Sequence, residues 1–282
     1  MTVGMGHRRQ RLHPDAFLAC EIDLPSLDEQ REIVRAVSAV DDLVAAYVAE
    51  ESSARMLLDA ARAALLDSLH ARLVSELVSK IEAGKSPLAL DRPPRPGERG
   101  VLKVSSIRPS EFRAYESKAV DDAVVFPAHA VVRSGDVLLS RANTRALVGA
   151  TCRVEGDFPS LYLSDKTLRL VVENEAVDPD FLVHTLASSV ARQQIEDRAT
   201  GTSDSMKNIS QKTILGLEVP HVDDLDEQCR IARQLSELRG TVVAAARLAE
   251  SVRRLRVAVV ESVLTGERAF DKANASEELT AA

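Results

Sequence analysis

The chain has 282 residues, a net charge of −7, only 3% aromatic residues and no tryptophan. This length allows one or two domains, and the composition is more typical of long helices with thin apolar seams than of one thick core. Cys20, Cys152 and Cys229 form no CxxC pair and are odd in number, so we expect a reduced, cytoplasmic protein rather than a disulfide framework. No apolar run approaches the roughly 20 residues of a membrane span, and no signal peptide is expected.

A long helix is predicted near the start of the chain. Residues 1–24 look like the end of a preceding folded segment, and the helix is expected from about residue 27 to at least 69. Ser26 and Glu29 form a capping-box pattern, in which the serine oxygen accepts from the amide of the glutamate and the glutamate reaches back. Residues 70–87 are expected to extend this helix or to form a short second helix that stops at Gly84.

The middle of the chain alternates short apolar runs with turn residues, which predicts a compact α/β domain. After a loop rich in proline, glycine and arginine, we expect strands at 100–107, 123–126, 136–141, 148–154 and 167–172. One helix is expected across 178–199, with Asp178 or Asp180 near its start, and a short helix is expected to begin near Ser210.

The tetrapeptide Leu-Asp-Glu-Gln occurs at 27–30 and again at 225–228, each time shortly after a proline. At the second site Asp224 and Glu227 repeat the capping-box pattern, so a second long helix is expected from about 225 to 265. One shift of 198 residues (27 to 225) superposes the caps and the apolar patterns of both helices. We therefore expect a unit of at least about 60 residues to occur twice. The alternative is two unrelated helices with a common start signal.

Both predicted helices carry apolar residues at 3.5-residue spacing, which is the pattern of a coiled-coil seam. The seam residues expected to pack between the helices or against partners are Ile33, Val37, Val40, Val44, Leu58, Leu65, Ile231, Leu235, Leu238, Val242 and Val252. Glu51 and Arg256 interrupt the seams, where we expect them to pair, to set the register, or to lie where the helices splay.

The predicted fold is α+β, with one compact α/β domain flanked by two long helices that pack as an antiparallel coiled coil. The predicted segments are an N-terminal remnant at 1–24, the first long helix at 25–70, the α/β domain at 71–222, the second long helix at 223–266 and a disordered tail at 267–282.

The sequence contains no recognisable catalytic constellation. Its six histidines are scattered, without HExxH and without a Cys/His cluster at zinc spacing, and it has no GxSxG, P-loop or GxGxxG motif. Residues 84–87 read GKSP but lack the upstream glycine spacing of a P-loop. We therefore predict no catalytic residue, no metal site and no cofactor in this chain.

Three polar stretches are candidates for contacts with DNA. Arginine and asparagine can bind base edges bidentately, and hydroxyl, amide and lysine groups suit phosphates. The candidate residues are Lys103, Ser105, Ser106, Arg141, Asn143, Thr144, Arg145, Thr202, Ser203, Lys207 and Asn208. The alternative is solvated loops with ordinary turn chemistry. The low aromatic content argues against a stacking platform for single strands.

Together these features resemble the specificity subunit of type I restriction-modification systems. The resemblance covers nearly the whole chain, from about residue 6 to 268. It is carried by LPSLDEQREIVRAVSAVDDL and VPHVDDLDEQCRIARQLSEL at the two helix starts, by KVSSI, VVRSGDVLLSRANTRALVGATCRV and residues 181–220 in the domain, and by VVESVLTGE at the end of the second helix. The order of these stretches and the internal repeat strengthen the resemblance.

The resemblance implies a subunit without catalytic activity, whose target recognition domain reads half of a bipartite site in double-stranded DNA. It also implies that the paired helices hold recognition domains apart and bind adenine methyltransferase subunits, which a restriction and translocase subunit joins. S-adenosylmethionine, ATP and magnesium are then expected on those partner subunits, in a system of phage defence, and not on this chain.

The family usually has two complete recognition domains, whereas here only 71–222 is complete and 1–24 resembles the tail of another. A half-length specificity subunit is therefore expected, which forms a homodimer and reads an interrupted palindrome, or pairs with a second, different half. The competing interpretations are a coiled-coil scaffold, an inactive truncated specificity subunit without DNA recognition, and an enzyme with an unrecognised site in the middle domain.

Overall fold

The computed structural model describes residues 14–19, 24–109, 111–203 and 206–265. Its helices are α1 (Pro14–Leu18), α2 (Leu27–Leu66), α3 (Pro179–Leu186), α4 (Ser189–Arg198), α5 (Gln211–Leu215) and α6 (Leu225–Thr265). Among these described helices, none is long and apolar enough to cross a membrane. Most of the remnant predicted at 1–24, together with Cys20, lies outside the described residues, and so does the tail predicted at 267–282.

The strands lie in the segment between α2 and α6. They are β1 (His70–Leu73), β2 (Val78–Ala83), β3 (Ala89–Leu90), β4 (Arg99–Leu102), β5 (Ile107–Arg108), β6 (Glu111–Phe112), β7 (Ser117–Val120), β8 (Val131–Val132), β9 (Val137–Ser140), β10 (Ala142–Asn143), β11 (Thr151–Arg153), β12 (Phe158–Tyr162), β13 (Thr167–Val172), β14 (Thr200–Ser203), β15 (Met206–Asn208) and β16 (Glu218–His221). The two larger sheets have the orders β11-β9-β13-β2 and β3-β7-β4-β12-β8. Their neighbouring strands are antiparallel except for β4 and β12, which are parallel.

Strand β9 explains why the domain has two apolar clusters. Successive side chains of a strand point to opposite faces, so Val137 and Leu139 lie in one cluster and Leu138 lies in the other. All four residues of β9 are buried. The first cluster also contains residues of the long helices α2 and α6 and of α3 and α4, whereas the second is formed by strands and loops around Cys152. The apolar run at 137–139 therefore lies in a strand that is covered on both faces.

The end of α2 and the start of α6 meet at one pair of strands. Strand β1 follows α2 and pairs antiparallel with β16, which precedes α6, and His70 lies directly opposite His221. Along the chain, α2 therefore leads into this strand pair and α6 leads out of it. Leu58, Ile231 and Leu235 of the helices are buried in the first apolar cluster.

The chain divides into two compact units. One comprises Met1–Ala46 with Ser251–Ala282, and the other comprises Tyr47–Glu250. Each long helix belongs partly to both units. These limits do not coincide with the segments predicted from changes of secondary structure, because part of each long helix packs into the core of the larger unit.

Burial along the long helices recurs at the seam positions. In the smaller unit, half-buried residues are Ile33, Val37, Val40, Val44 and Val252. In the larger unit, buried residues are Leu58, Ile231, Leu235 and Val242, and half-buried ones are Leu65 and Leu238. The seam is thus covered fully only where the α/β domain adds a second layer to the helices.

Each residue that interrupts a seam forms an ion pair. Glu51 accepts from Arg55 at 2.9 Å within α2, and Arg256 of α6 pairs with Asp41 of α2 in the smaller unit. Arg256 therefore joins the two helices through an exposed ion pair, whereas Glu51 stabilises a single helix.

The two helix caps differ. In α2, the backbone nitrogen and the hydroxyl of Ser26 donate to Glu29 Oε2 at 2.9 and 2.8 Å, and Glu29 N donates to Ser26 Oγ at 3.4 Å. These hydrogen bonds lower the pKa of Glu29. In α6, Asp224 accepts from the backbone nitrogen of Asp226 at 3.0 Å, and Glu227 pairs with Arg230 instead. The reciprocal box predicted for Asp224 and Glu227 is wrong, because two carboxylates repel each other and Arg230 offers a cation one turn away.

Three predicted elements are corrected by the structure. Residues 70–87 do not extend α2, which ends at Leu66, but form β1, a 3₁₀ turn and β2, because pairing with β16 and β13 satisfies their backbone. Residues 123–126 do not form a strand: the Asp121 carboxylate holds a turn at 122–123, and 124–126 have no regular structure. The helix predicted across 178–199 is two helices, since Ser188 ends the first and caps the second through Ala191 N.

Other predicted elements are confirmed. Strands β9 and β13 lie within the predicted runs, and β13 matches 167–172 in full. Asp178 caps α3 by accepting from Phe181 N at 2.8 Å, and Ser210 caps α5 by accepting from Thr213 N at 3.0 Å. The second long helix extends over the predicted residues 225–265.

Candidate nucleic-acid interface

A small three-stranded sheet brings together two of the three polar stretches. Its order is β10-β15-β14, with Asn143 opposite Lys207 and Ala142 opposite Asn208. Strand β14 continues the sheet, with Thr200 opposite Asn208. Residues 140–145 therefore form one surface with 200–203 and 206–208, although these stretches are well separated along the chain.

This sheet is anchored to the domain through the backbone of Arg141. Arg141 N donates to Lys166 O at 2.9 Å, and Ile209 N donates to Arg141 O at 3.0 Å. Ile209 is buried in the first apolar cluster. The guanidinium of Arg141 lies within 3.4 Å of Asp165 O and is half-exposed. Burial of the neighbouring Ile209 thus fixes the backbone from which the Arg141 side chain emerges.

The loop after β10 is held in a defined conformation. Asn143 Oδ1 accepts from Thr144 N at 2.9 Å, and its amide nitrogen donates to Ser140 Oγ at 3.3 Å. Arg192 of α4 donates to Val148 O at 2.7 Å and fastens the loop to the helix. Because these bonds use the Asn143 side chain, reading a base with it requires that they be exchanged.

A glycine after this loop allows the close approach of α4. Gly149 has φ +72°, and a Cβ at this position would lie 2.9 Å from Ile195 Cγ2. Thr144 and Arg145 are exposed at the tip of the loop, and Arg145 Nε donates to Glu196 Oε2 at 3.3 Å. This ion pair is exposed, so exchange of Glu196 for a phosphate costs little free energy.

The hairpin of β14 and β15 presents the second stretch. Gly201 has φ +137°, and a Cβ there would lie 2.4 Å from Met206 O, so only glycine fits this approach. Lys207 Nζ donates to Gly201 O at 2.9 Å. Ser203 and Asn208 are exposed, whereas the side chain of Thr202 lies outside the described part of the chain.

The third stretch belongs to another part of the domain. Ser106 is fully buried and donates to Lys103 O at 2.6 Å, so it is not available for DNA in this conformation. Ser105 donates to Glu116 at 2.7 Å, and Lys103 Nζ lies 3.9 Å from the same carboxylate. Residues 103–106 follow β4 and are not part of the three-stranded sheet.

Sequence reasoning missed two further cations beside this surface. Lys166 is exposed, and its carbonyl receives the Arg141 backbone bond. Lys85 is exposed in the GKSP loop, whose Ser86 pairs with Asp165. The sequence feature that marks the position of Lys85 is the preceding Gly84.

Gly84 is required by close packing and not by a helix end. A Cβ at this position would lie 1.7 Å from Leu163 O, and Gly84 N donates to Ser164 O at 3.1 Å. The GKSP loop is therefore pinned beside the turn that carries Lys166. We name the set of cations along these loops the basic edge; its members are Lys85, Arg141, Arg145, Lys166 and Lys207.

Type I specificity subunits are similar to this chain in sequence and in structure. No family model matches the chain. In sequence, the chain is 29% identical over 143 residues to the type I restriction enzyme EcoEI specificity subunit of Escherichia coli. The aligned residues cover 50% of this chain and 24% of that protein. The chain thus spans about a quarter of the length of this curated relative.

Solved structures show the same fold. The S subunit of a type I restriction-modification system from M. genitalium superposes with a TM-score of 0.55 at 14% identity, covering 84% of this chain and 61% of that one. A chain from a structure on complex assembly and conformational transition of the type I R-M system gives a TM-score of 0.51 at 20% identity, with coverages of 87% and 61%. The predicted α+β fold, with long helices flanking a β-rich domain, is confirmed.

Proposed function

We propose that this chain, which is similar to type I specificity subunits, is the non-catalytic DNA-recognition subunit of a type I restriction-modification complex. Its α/β domain reads half of a bipartite site in double-stranded DNA and directs adenine methyltransferase and restriction subunits to it. The observation that carries the proposal is the three-stranded sheet, which places two of the three predicted polar stretches on one surface.

The basic edge supplies the contacts that position DNA. Phosphate contacts fix the register of a protein on the duplex, and base contacts add sequence preference. Arg141 and Lys207 are assigned to phosphates or to guanine, and Asn143 to adenine after its turn bonds are exchanged. The net charge of −7 does not oppose this assignment, because a local cluster of cations decides the potential that a nearby phosphate meets.

The long helices are proposed to bind the methyltransferase subunits. Helix α2 exposes a series of apolar side chains, which are Leu27, Val34, Leu43, Val48, Met56 and Leu57. Exposed apolar side chains repeated along one helix are typical of a protein-binding surface. S-adenosylmethionine, ATP and magnesium are assigned to the methyltransferase and restriction subunits of this cytoplasmic complex.

A bipartite site requires two recognition domains in the complex. We propose that the second is supplied by another copy of the chain, through a two-fold contact, or by a different half-subunit. Two copies would read an interrupted palindrome, and a different partner would read an asymmetric site.

Methylation mapping in the native host tests the function directly. Methyladenine is mapped across the genome with and without this gene. Loss of one interrupted motif on deletion supports the proposal, and the symmetry of the motif distinguishes two copies from two different halves. If every motif persists, the chain does not specify a methyltransferase, and the scaffold and inactive-subunit interpretations are favoured.

DNA binding by the reconstituted complex tests the basic edge. Arg141→Ala and Lys207→Ala are each compared with Arg230→Ala, which removes an exposed arginine at the start of α6. Each lost phosphate contact should weaken binding and reduce the slope of log affinity against log salt by about 1. Unchanged affinity and salt dependence in both variants would show that the basic edge does not contact DNA.

A further inference from the structure

The strand pair that joins the two long helices carries a cluster of potential metal ligands. His70 and His221 lie opposite each other, with their rings edge to face at 5.5 Å between centroids. Asp223 Oδ1 lies 3.9 Å from His70 Nε2 and 3.5 Å from His221 Nε2. One ligand atom from each residue lies within 4.8 Å of the other two.

The hydrogen bond from Arg72 identifies which ring nitrogen of His221 carries a lone pair and no proton. Arg72 Nη1 lies 3.2 Å from His221 Nε2 and 2.8 Å from Asp223 Oδ1. Because a guanidinium has donors only, His221 Nε2 accepts this hydrogen bond and carries no proton. The side chain of His221 is fully buried. An unprotonated imidazole nitrogen that lies beside a carboxylate can ligate a divalent metal ion.

We propose that His70, His221 and Asp223 bind one zinc ion. Zinc ligands lie about 2.0–2.2 Å from the metal, which places tetrahedral ligand atoms about 3.3–3.6 Å apart. The separation between His221 and Asp223 already meets this value, and His70 and Asp223 are exposed side chains that can rotate to close the remaining gap. The exposed side of the cluster leaves the fourth position to water.

Arg72 competes with the metal for the same place. In this structure its guanidinium is the cation between His221 and Asp223, and its Nε donates to Glu76 at 3.0 Å. A divalent ion displaces Nη1, and the bond to Glu76 retains the arginine nearby. None of the described residues accepts a hydrogen bond from Nδ1 of His221. The ligating ring is therefore not oriented by a hydrogen bond from behind, and the bound ion exchanges readily.

A bound ion would tie β1 to β16 and so fix the point from which α2 and α6 leave the domain. The sequence predicted no metal site, because the ligands come from opposite ends of the domain and only strand pairing brings them together. The site requires neither DNA nor a partner subunit, so its failure and the failure of the proposed function are separate results.

Zinc binding to the full chain tests the proposal. Protein without an affinity tag is treated with a chelator and titrated with zinc chloride by calorimetry. We expect one ion per chain, with a loss of at least about 10-fold in affinity for His70→Ala and none for His129→Ala, the matched exposed histidine outside the cluster. Arg72→Gln should tighten binding several-fold, because it removes the competing charge.

Thermal unfolding gives a second readout. Zinc should raise the unfolding midpoint of the wild-type chain and of Arg72→Gln, but not of His70→Ala. Circular dichroism checks that His70→Ala keeps the fold, which its exposed position favours. Equal zinc affinity in the wild type and His70→Ala, or weaker binding by Arg72→Gln, would overturn the site; in the first case the N-terminal histidines His7 and His13 become the alternative ligands.

Discussion

The two Leu-Asp-Glu-Gln helix starts have the same sequence and different surroundings. Gln228 is fully buried; its amide nitrogen donates to Val222 O at 2.7 Å and Ala176 O at 3.2 Å, and its oxygen accepts from Asp178 N at 2.7 Å. Gln30 is half-exposed and donates to Pro25 O at 2.7 Å. Both glutamines thus donate to a carbonyl just before their helix. Of the two, only Gln228 also forms hydrogen bonds with the α/β domain, at Ala176 and Asp178.

The apolar neighbours of the two glutamines differ in the same way. Ile231 is 2% exposed and Ala232 is 3% exposed, whereas Ile33 is half-buried and Val34 is 62% exposed. The tetrapeptide therefore marks the helix start and the residues after it provide the seam, whereas burial depends on whether a domain packs there.

The largest expected effect separates the two glutamines. Gln228→Ala leaves two carbonyls and one amide of the core without partners, at about 1–3 kcal/mol each, so the free energy of unfolding should fall by about 3–5 kcal/mol. Gln30→Ala should change it by less than about 0.5 kcal/mol. Urea unfolding followed by circular dichroism measures both, and similar losses in the two variants would contradict the comparison.

The two isoleucines provide a pair matched in residue type. Ile231→Ala removes a buried side chain from the first apolar cluster and should cost about 2–4 kcal/mol. Ile33→Ala acts at a half-buried seam position and should cost about 1 kcal/mol or less, because water already reaches part of the side chain. An equal cost would mean that the smaller unit packs as tightly as the larger one.

The seam was predictable from the sequence because heptad spacing depends on residue type alone. The same reasoning failed at 70–87, where the apolar spacing of Val74, Leu77 and Val78 fits a helix as well as two short strands. Pairing with distant strands decided between them.

The candidate interface was predictable only in part. Composition identified the stretches at 140–145 and 201–208, but nothing local indicates that β10 pairs with β15. Composition also selected Ser106, which is buried, and overlooked Lys166, whose neighbours in sequence carry no motif. Tertiary pairing determines which polar residues reach the surface together, and a pattern of residue types does not contain that information.

The larger unit should also be more sensitive to acid, because it buries His184. This residue of α3 has its Nε2 3.0 Å from Ser236 Oγ of α6. Burial is the main cause that lowers its pKa to about 3, and the charges of Arg62 and Arg239 add to the effect. Below the unfolded pKa of about 6.5 the unfolded chain binds a proton that the folded chain does not, so stability falls as pH decreases.

The expected slope from this group alone is about 1.4 kcal/mol per pH unit below pH of about 6.5, which continues toward the folded pKa. His184→Gln keeps a hydrogen-bonding group toward Ser236 and should flatten the dependence between about pH 6.5 and 5, above the range in which most carboxylates titrate. His129→Gln, at an exposed site, should retain the wild-type slope. If the free energy of unfolding of His184→Gln keeps the wild-type dependence on pH, a group other than His184 causes the loss of stability at low pH.

The smallest expected effect is at the ion pair of Arg256 and Asp41, which joins the two helices in the smaller unit. The pair is exposed, so Arg256→Gln should cost less than about 1 kcal/mol and should speed amide hydrogen exchange at 33–44 and 252–263 by less than about 5-fold. Because salt screens an exposed pair, the difference from wild type should shrink at high ionic strength. Arg55→Gln, which breaks a pair within α2 alone, should leave exchange at 252–263 unchanged. An effect of Arg256→Gln that persists in high salt would show that this arginine acts by packing its stem in the seam and not by its charge.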